Sequence, residues 1–204
     1  MFKKMAADAL GLSDIGSVIK PADYDKVDAD DYIMHEDDEK IYFLIKSKTD
    51  EYCFTNQAFI HLDGTSAISK KRMLTRYSYS QYEFSHVTLE TAGTVDLDAE
   101  IKFSIGAKTF SIDVHKKFIE ELKDLFKSLV KISEICHENA YALQFAQQSV
   151  NLASSTLNQV RTDGSQMVSS FKDINAAAFD WLMDSRKKYH VKDFGYVFEK
   201  YINN

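Results

Sequence analysis

The sequence of 204 residues predicts an α+β fold, in which a seven-stranded antiparallel β-structure is capped by a long helix and followed by a C-terminal helical hairpin. Three observations support this prediction. Short β-branched and aromatic runs fill residues 41–112. An apolar residue then recurs at steps of four and three over residues 113–160. A second pattern with the same spacing follows the glycine-containing turn at 161–165, as expected for two antiparallel helices.

Residues 1–38 are predicted to form an N-terminal helix and an acidic lead-in. The apolar residues of 2–10 fall on one helical face that ends at Gly11. A helix packed on the domain is favoured over a membrane-surface anchor, because so short a stretch buries little apolar area. Nine acids crowd residues 21–40 without the ligand spacing and turn glycine of a calcium loop, so we expect a solvated charged surface.

The β-domain is predicted over residues 39–135. Residues 94–105 show the clearest pattern, because apolar side chains alternate with polar ones and give the strand one core face and one solvent face. Turn-prone residues separate the other runs into hairpins. The seven predicted strands span residues 41–45, 52–55, 58–62, 71–77, 82–89, 94–105 and 109–112.

A long helix is predicted from residue 114, with Asp113 as its N-cap. Its first half has a broad apolar face, widened by Ile119, Phe126 and Val130, which is typical of a helix that covers a sheet. Beyond Asn139 the apolar face narrows and becomes alanine-rich, which favours contact with another helix. The pattern fits one long helix or two helices in one phase.

The segment 136–204 is predicted to be a helical hairpin that mediates oligomerisation. A helix over residues 114–160 would be about 70 Å long, more than the remaining chain can cover. Asn139 at a core-type position would fix register or subunit number. In the competing interpretation, the last aromatic helix folds back onto the β-domain and closes a monomer. The predicted interface residues are Asn139, Leu143, Phe145, Val150, Leu152, Leu157, Phe171, Trp181 and Phe198.

Two motifs carry a resemblance to a known family. Residues 89–101, Leu-Glu-Thr-Ala-Gly-Thr-Val-Asp-Leu-Asp-Ala-Glu-Ile, and residues 54–63, Phe-Thr-Asn-Gln-Ala-Phe-Ile-His-Leu-Asp, resemble the bacterial pleckstrin-homology-like (PH-like) family of the YvbH type. The resemblance covers about residues 40–132, and the helical hairpin that follows is similar to the YvbH-type oligomerisation region. It implies a seven-stranded PH-like barrel or sandwich capped by a helix, in an oligomeric binding module. It implies no catalytic residues.

The charge distribution restricts the possible partners. A net charge of -6 argues against nucleic acid, which requires a basic face. The loop 46–51 balances two lysines with two acids, a poor match to the phosphoinositide site of eukaryotic PH domains. A better basic patch could meet an acidic partner or anionic lipid, although charged edges also prevent unwanted strand pairing, and we favour that interpretation. The patch consists of Lys70, Lys71, Arg72 and Arg76.

Catalysis and metal binding have little support in the sequence. Asp96, Asp98 and Glu100 share one strand face and could bind a metal, but Lys102 lies on the same face, so a solvated surface is favoured. The histidines and cysteines show no metal-ligand spacing. We therefore predict a non-catalytic PH-like binding or scaffold protein without cofactor or metal, which self-associates through its C-terminal helical extension and its PH-like domain. The alternatives are a membrane-surface adaptor that binds anionic lipid and a metal-dependent enzyme that uses the acidic strand face.

The cellular compartment is also predicted from composition. Cys53 and Cys136 both lie within apolar patterns, which favours reduced core thiols and a cytoplasmic protein. No stretch approaches the roughly 18 consecutive apolar residues of a membrane span.

Overall fold

The computed structural model describes residues 15–64, 72–91, 98–157 and 167–202. The chain divides into two compact units. The first combines Met1–Glu134 with Lys192–Asn204, and the second is Ile135–Val191. The C-terminal residues therefore return to the β-domain, and the predicted N-terminal helix of residues 2–10 lies outside the described residues.

The first unit contains two antiparallel sheets. The five-stranded sheet has the order β1-β2-β3-β4-β5 and the three-stranded sheet has the order β6-β7-β8. Within the described residues each of the seven predicted strands has a counterpart, and the two-residue β1 is additional. Residue 71 and residues 94–97 of the predicted strands lie outside the described residues. The strands are β1 (Ser17–Val18), β2 (Ile41–Lys46), β3 (Glu51–Thr55), β4 (Ala58–Gly64), β5 (Arg72–Ser78), β6 (Phe84–Glu90), β7 (Asp98–Ile105) and β8 (Lys108–His115).

Gly16 joins the two sheets next to β1. It forms a parallel bridge with Val114 of β8, its N–H donates to the Asp113 carbonyl at 2.7 Å, and its carbonyl accepts from the His115 N–H at 3.0 Å. A Cβ at this position would lie 2.7 Å from Cγ2 of Ile45 and 3.0 Å from the Asp113 carbonyl oxygen. Only glycine fits so close an approach of two backbones.

Aromatic side chains fill the space between the two sheets. Phe54 and Phe59 of the larger sheet meet Phe103 and Phe110 of the smaller one, with ring centroids between 4.9 and 5.8 Å apart. Most of these pairs adopt the edge-to-face geometry that aromatic rings prefer. All four rings are buried, so Phe103, on the predicted core face of residues 94–105, points into a core that both sheets share.

The acidic lead-in covers the other face of the five-stranded sheet. It forms three 3-10 helices, Pro21–Lys26, Asp28–Tyr32 and His35–Asp37. Between the acids, Val27, Ala29 and Ile33 are buried and pack in a cluster with residues of β2, β3 and β4. The expectation of a wholly solvated surface is therefore corrected, because the widely spaced apolar residues of this segment close a second core.

Helix α1 spans Ile119–Leu157 and is continuous through His137–Asn139. It follows a 3-10 turn at Lys116–Phe118. The predicted cap is wrong, because Asp113 still belongs to β8, and Nδ1 of His115 instead accepts the hydrogen bond from the Lys117 N–H at 3.2 Å. In the first half of α1 the seam residues are fully buried, as predicted. These are Leu122, Leu125, Leu129 and Ile132.

Two further helices follow, α2 (Met167–Tyr189) and α3 (Gly195–Tyr201). Helix α3 packs in the first unit, where Phe194 and Phe198 are fully buried. Phe198 stacks on Tyr42 at 5.4 Å between centroids, and the Phe194 N–H donates to the Asn56 carbonyl at 2.7 Å. Phe198, predicted as an interface residue, therefore lies in the core of the first unit.

Candidate functional site

The second unit, residues 135–191, consists of the distal part of α1 and helix α2. Within its described residues only Ala146 and Ser185 fall below one-tenth exposure, at 7% and 8%. Helices normally gain most of their stability from the burial of an amphipathic face. This hairpin thus has almost no core of its own in a single chain.

Large apolar side chains instead lie on the hairpin surface. Leu152 is 70% exposed, Phe171 is 69% exposed, and Phe145 and Phe179 are each 62% exposed. Large exposed apolar patches are unusual on monomers and mark interaction sites, and this many exposed apolar side chains on one helical hairpin indicate such a site. The exposed set is Tyr141, Phe145, Leu152, Phe171, Ile174, Phe179, Trp181, Leu182 and Met183.

The predicted interface residues fall into three groups. Leu157 is the last residue of α1, and Phe198 belongs to the first unit. The half-buried residues are Asn139, Leu143 and Val150. The exposed residues are Phe145, Leu152, Phe171 and Trp181.

The structure adds Phe179 and Met183, which are 62% and 50% exposed. They lie outside the pattern of four-and-three spacing that the sequence shows after the turn at 161–165. Their i, i+4 spacing was the signal in the sequence, because it places two large apolar side chains together on one helical face.

A groove runs along one side of the hairpin. Its volume is about 460 Å³, and small α1 residues, among them Ala142, Ala146 and Ser149, form its floor. Trp181 of α2 lines the same groove, and its indole Nε1–H donates to the Ala146 carbonyl at 3.3 Å. Small side chains on α1 thus leave a recess beside a fixed tryptophan.

Comparisons with known proteins agree with this architecture. Residues 9–133 match the family model described as "Bacterial PH domain". The chain belongs to the bacterial PH domain family. Residues 144–204 match the "YvbH-like oligomerisation region", so the predicted resemblance is confirmed in both parts of the chain.

Two relatives extend over nearly the whole chain. The "Uncharacterized protein YvbH" of Bacillus subtilis is 59% identical over 204 residues, which cover 100% of both chains. A crystal structure of a PH-domain-containing bacterial protein from Exiguobacterium sibiricum is 55% identical, with a TM-score of 0.85, and covers 93% of this chain and 100% of that one. The predicted α+β fold, with antiparallel strands followed by a long helix, is thereby confirmed.

The two arginines of the predicted basic patch are engaged in contacts within the PH domain. Nη1 of Arg76 donates to both carboxylate oxygens of Glu39, at 2.9 and 3.0 Å, and the Glu39 side chain is fully buried. Arg72 contacts Asp28 at 3.2 Å and donates to the Thr49 carbonyl. Both arginines therefore attach neighbouring segments to β5. Lys70 and Lys71, the other members of the predicted patch, lie outside the described residues.

Glu100, the central residue of the predicted acidic strand face, is neutralised locally. Glu100 pairs with Lys102 and accepts a hydrogen bond from Ser111, and these contacts hold the pKa of its carboxyl below the ordinary value. Within the described ranges, no three histidine, cysteine, aspartate or glutamate side chains are grouped to hold a metal ion. Asp96 lies outside those ranges, so the absence of a bound metal stays a prediction.

A buried histidine lies at the edge of the aromatic core of the PH domain. His61 stacks on Tyr52 with centroids 4.8 Å apart, and its Nε2 lies 3.0 Å from Oδ1 of Asp50. Burial alone raises the pKa of the Asp50 carboxyl, but hydrogen bonds from His61 and Thr49 outweigh it, and the net pKa lies below the ordinary value. The sequence did not indicate the contact between His61 and Asp50, because the two residues meet only when the loop 47–50 folds against β4.

Membrane spanning was also tested on the structure. Among the helices of the described segments, none has the length and apolar character that would be needed to cross a bilayer.

Proposed function

We propose that the protein is a non-catalytic scaffold that self-associates through the hairpin of residues 135–191 and presents its PH domain to a binding partner. The observation that carries this proposal is the composition of the hairpin surface. Nine large apolar side chains are at least 38% exposed, whereas only two residues in the described part of the same unit are buried.

The free energy available from burying this surface is of the same order as the cost of association. Full burial of a large apolar side chain contributes about 1.5–3 kcal/mol. The nine side chains are already partly covered, so an interface would recover roughly half of this value from each, on the order of 10 kcal/mol in total. Association costs about 4–15 kcal/mol, because the two partners lose translational and rotational freedom. A partner must therefore cover most of the set rather than one or two residues.

A second copy of the chain is the favoured partner. The match to an oligomerisation region begins at residue 144 and includes most of the exposed set. A homo-oligomer also supplies the apolar partner surface without requiring another protein. Tyr141, the first exposed residue of the set, lies three residues before the match and continues the same surface.

The PH domain supports a binding role better than catalysis. Its notable charged side chains, among them Glu39, Arg76 and Glu100, are engaged in contacts that hold the domain together. The alternative of an anionic-lipid adaptor loses support for the same reason, since Arg76 is already neutralised by a buried carboxylate. Cys53 and Cys136 form no disulfide, which is consistent with the proposed reducing compartment.

The test replaces exposed aromatic residues of the hairpin by charge. We expect the double variant Phe145→Asp/Phe171→Asp to have a lower mass in solution than the wild-type oligomer. Circular dichroism should show that its helical content is unchanged. The matched control is Tyr32→Asp, an exposed aromatic residue of the first unit, which should leave the mass in solution unchanged. An unchanged oligomer in the double variant would show that the hairpin does not mediate assembly. Dissociation of the control would show that the effect of an added charge is not specific to the hairpin.

A further inference from the structure

We propose that the outer edge of strand β5 binds an extended, basic segment of a partner protein, which adds to the five-stranded sheet as a further strand. This inference rests on the proposed function, because it names the surface with which the PH domain meets a partner and the class of segment that fits there. It follows from three features: the state of the sheet edges, the side chains along β5 and the charge beside that strand.

The two sheets end in four strands, β1 and β5 in the larger sheet and β6 and β8 in the smaller one. An edge strand presents backbone N–H and C=O groups to solvent, so proteins usually cover or distort it to prevent pairing with another chain. The ends at β1 and β8 are closed against each other, because Gly16, next to β1, bridges to Val114 of β8. Two ends therefore remain, at β5 and β6.

Strand β6 is protected in two ways. The Ser133 hydroxyl of α1 donates to the Phe84 carbonyl at 2.7 Å, so the helix engages the start of this strand. A bulge then shifts the register between Ser85 and Thr88, and within it His86 has a positive φ of 50°. Bulges and covering helices are both means by which proteins keep an edge strand from pairing.

Strand β5 has neither protection among the described residues. Its residues 72–78 pair with residues 58–64 of β4 without any shift in register. On its other side, no strand of the described segments pairs with it. A regular edge of this length is a template on which a further strand can form backbone hydrogen bonds.

The side chains of β5 make this edge apolar. Met73 is 64% exposed, more than any other large apolar side chain in the described part of the first unit, and Leu74 is 38% exposed. Consecutive side chains of a strand point to opposite faces, so both faces of the edge offer apolar surface. The two arginines of β5 do not charge the edge, because each pairs with a carboxylate of residues 28–39. The charged protection that the sequence suggested for this edge is thus neutralised.

The charge beside β5 favours a basic partner. Residues 21–40 carry nine acidic side chains and two lysines, a net charge of -7. The pairs of Arg72 with Asp28 and of Arg76 with Glu39 hold this acidic segment against β5. Charge complementarity selects partners and excludes those of like charge. A segment that alternates apolar and basic residues fits best, because it can turn its basic side chains toward the acidic face and its apolar side chains toward the face of Met73.

The test uses a fluorescent peptide of four Val-Lys repeats, close to the length of β5, titrated with the full-length chain. We expect a saturable rise in fluorescence anisotropy. A peptide of four Val-Glu repeats should not bind, because the acidic segment repels it. A third peptide repeats the Val-Lys sequence with methylated backbone nitrogens, so it keeps the charge but cannot donate to the sheet. It should bind at least about tenfold more weakly than the parent peptide.

A variant of the chain separates strand addition from simple charge attraction. Met73→Asp adds an acid, which would tighten a purely electrostatic contact with the Val-Lys peptide. In strand addition it should instead weaken binding about fivefold, because the loss of apolar contact outweighs the gain from one exposed charge. The matched control Ser85→Asp adds the same charge at an exposed position of β6 and should change the affinity little. Circular dichroism verifies that both variants retain their fold.

Several outcomes would overturn the inference. Equal binding of the methylated peptide, or tighter binding by Met73→Asp, would reduce the contact to charge. Weaker binding by Ser85→Asp alone would place the peptide at β6. A change in the mass of the chain itself on Met73→Asp would identify a second copy, rather than a peptide, as the occupant of the edge.

The same measurements separate this inference from self-association. If no peptide binds to a chain that is oligomeric in solution, the inference about β5 fails and self-association stands. If the Val-Lys peptide binds as expected to a chain that is monomeric, the edge of β5 is a binding surface and self-association is wrong.

Discussion

Arg76 and Arg72 show how two residues of one predicted patch can have different roles. The Arg76 side chain is 20% exposed and donates two hydrogen bonds to Glu39, which is fully buried. Arg72 is more exposed and pairs with Asp28, a residue at the surface. A buried carboxylate without its cation is strongly destabilising, whereas exposed ion pairs contribute little.

We therefore expect Arg76→Ala to lower the free energy of unfolding by about 3–5 kcal/mol, because the Glu39 carboxylate then stays buried and unpaired. Arg72→Ala should lower the same free energy by less than about 1 kcal/mol. Denaturant titrations of both variants measure the difference. Equal losses would show that Arg76 serves as a surface cation like its neighbour.

The Asp50 carboxyl gives a prediction for the pH dependence of stability. Its pKa is lowered in the folded protein, so the folded state binds fewer protons than the unfolded state in acid. The stabilisation is complete above the unfolded pKa of about 4 and is lost as the pH falls through the lower folded value. The difference in unfolding free energy between wild type and Asp50→Asn should thus be constant near neutral pH and shrink below about pH 4. A difference that grows in acid would contradict the assignment.

Helix α3 is the element whose role the sequence misplaced. Its residues Phe194 and Phe198 are fully buried, and Tyr42 Oη donates to Glu199 at 2.7 Å. Asn56 connects the same region, because its Nδ2 donates to Oδ2 of Asp193 at 2.6 Å. These contacts join residues more than 130 positions apart in sequence. The C-terminal segment is therefore a structural part of the PH domain.

Removing one aromatic ring from this helix tests that role. Phe198→Ala should lower the free energy of unfolding by about 3–5 kcal/mol, because it leaves a cavity beside Tyr42 and Tyr79. Tyr196→Ala on the same helix is the matched control, since Tyr196 is 56% exposed. It should have a much smaller effect. Thermal unfolding followed by circular dichroism compares the two, and a neutral Phe198→Ala would mean that α3 is not required for the fold.

The elements that the sequence predicts are those with a strong local period. Residues 98–105 alternate over eight positions, and the α1 seam repeats without glycine or proline, so both are evident before any contact is known. Strand β1 and the docking of α3 depend on partners distant in sequence, and no local pattern encodes them. The acidic lead-in was misjudged because its three buried apolar residues are outnumbered by acids.

At the scale of the whole molecule, the sequence predicted that the hairpin carries apolar surface but not the full set of residues that form it. Phe145 was included because it is a large apolar residue that lies off the α1 seam, and Trp181 because it is a large aromatic residue near the end of the chain. Phe179 and Met183 were missed, because they lie opposite the seam, and only the exposure in the folded chain shows that they are uncovered. Phe198, also predicted for the interface, is fully buried within the first unit, because an amphipathic pattern does not identify which surface a helix will cover.

The most direct test of self-association through the hairpin is the mass of the unmodified full-length chain in solution, measured by light scattering across a dilution series. One chain has a mass of 23.4 kDa. The exposed apolar set predicts a multiple of that mass at tens of micromolar, with dissociation only on dilution. A single species of 23.4 kDa at every concentration would contradict the account, because the hairpin surface would then be stable in water without a second copy.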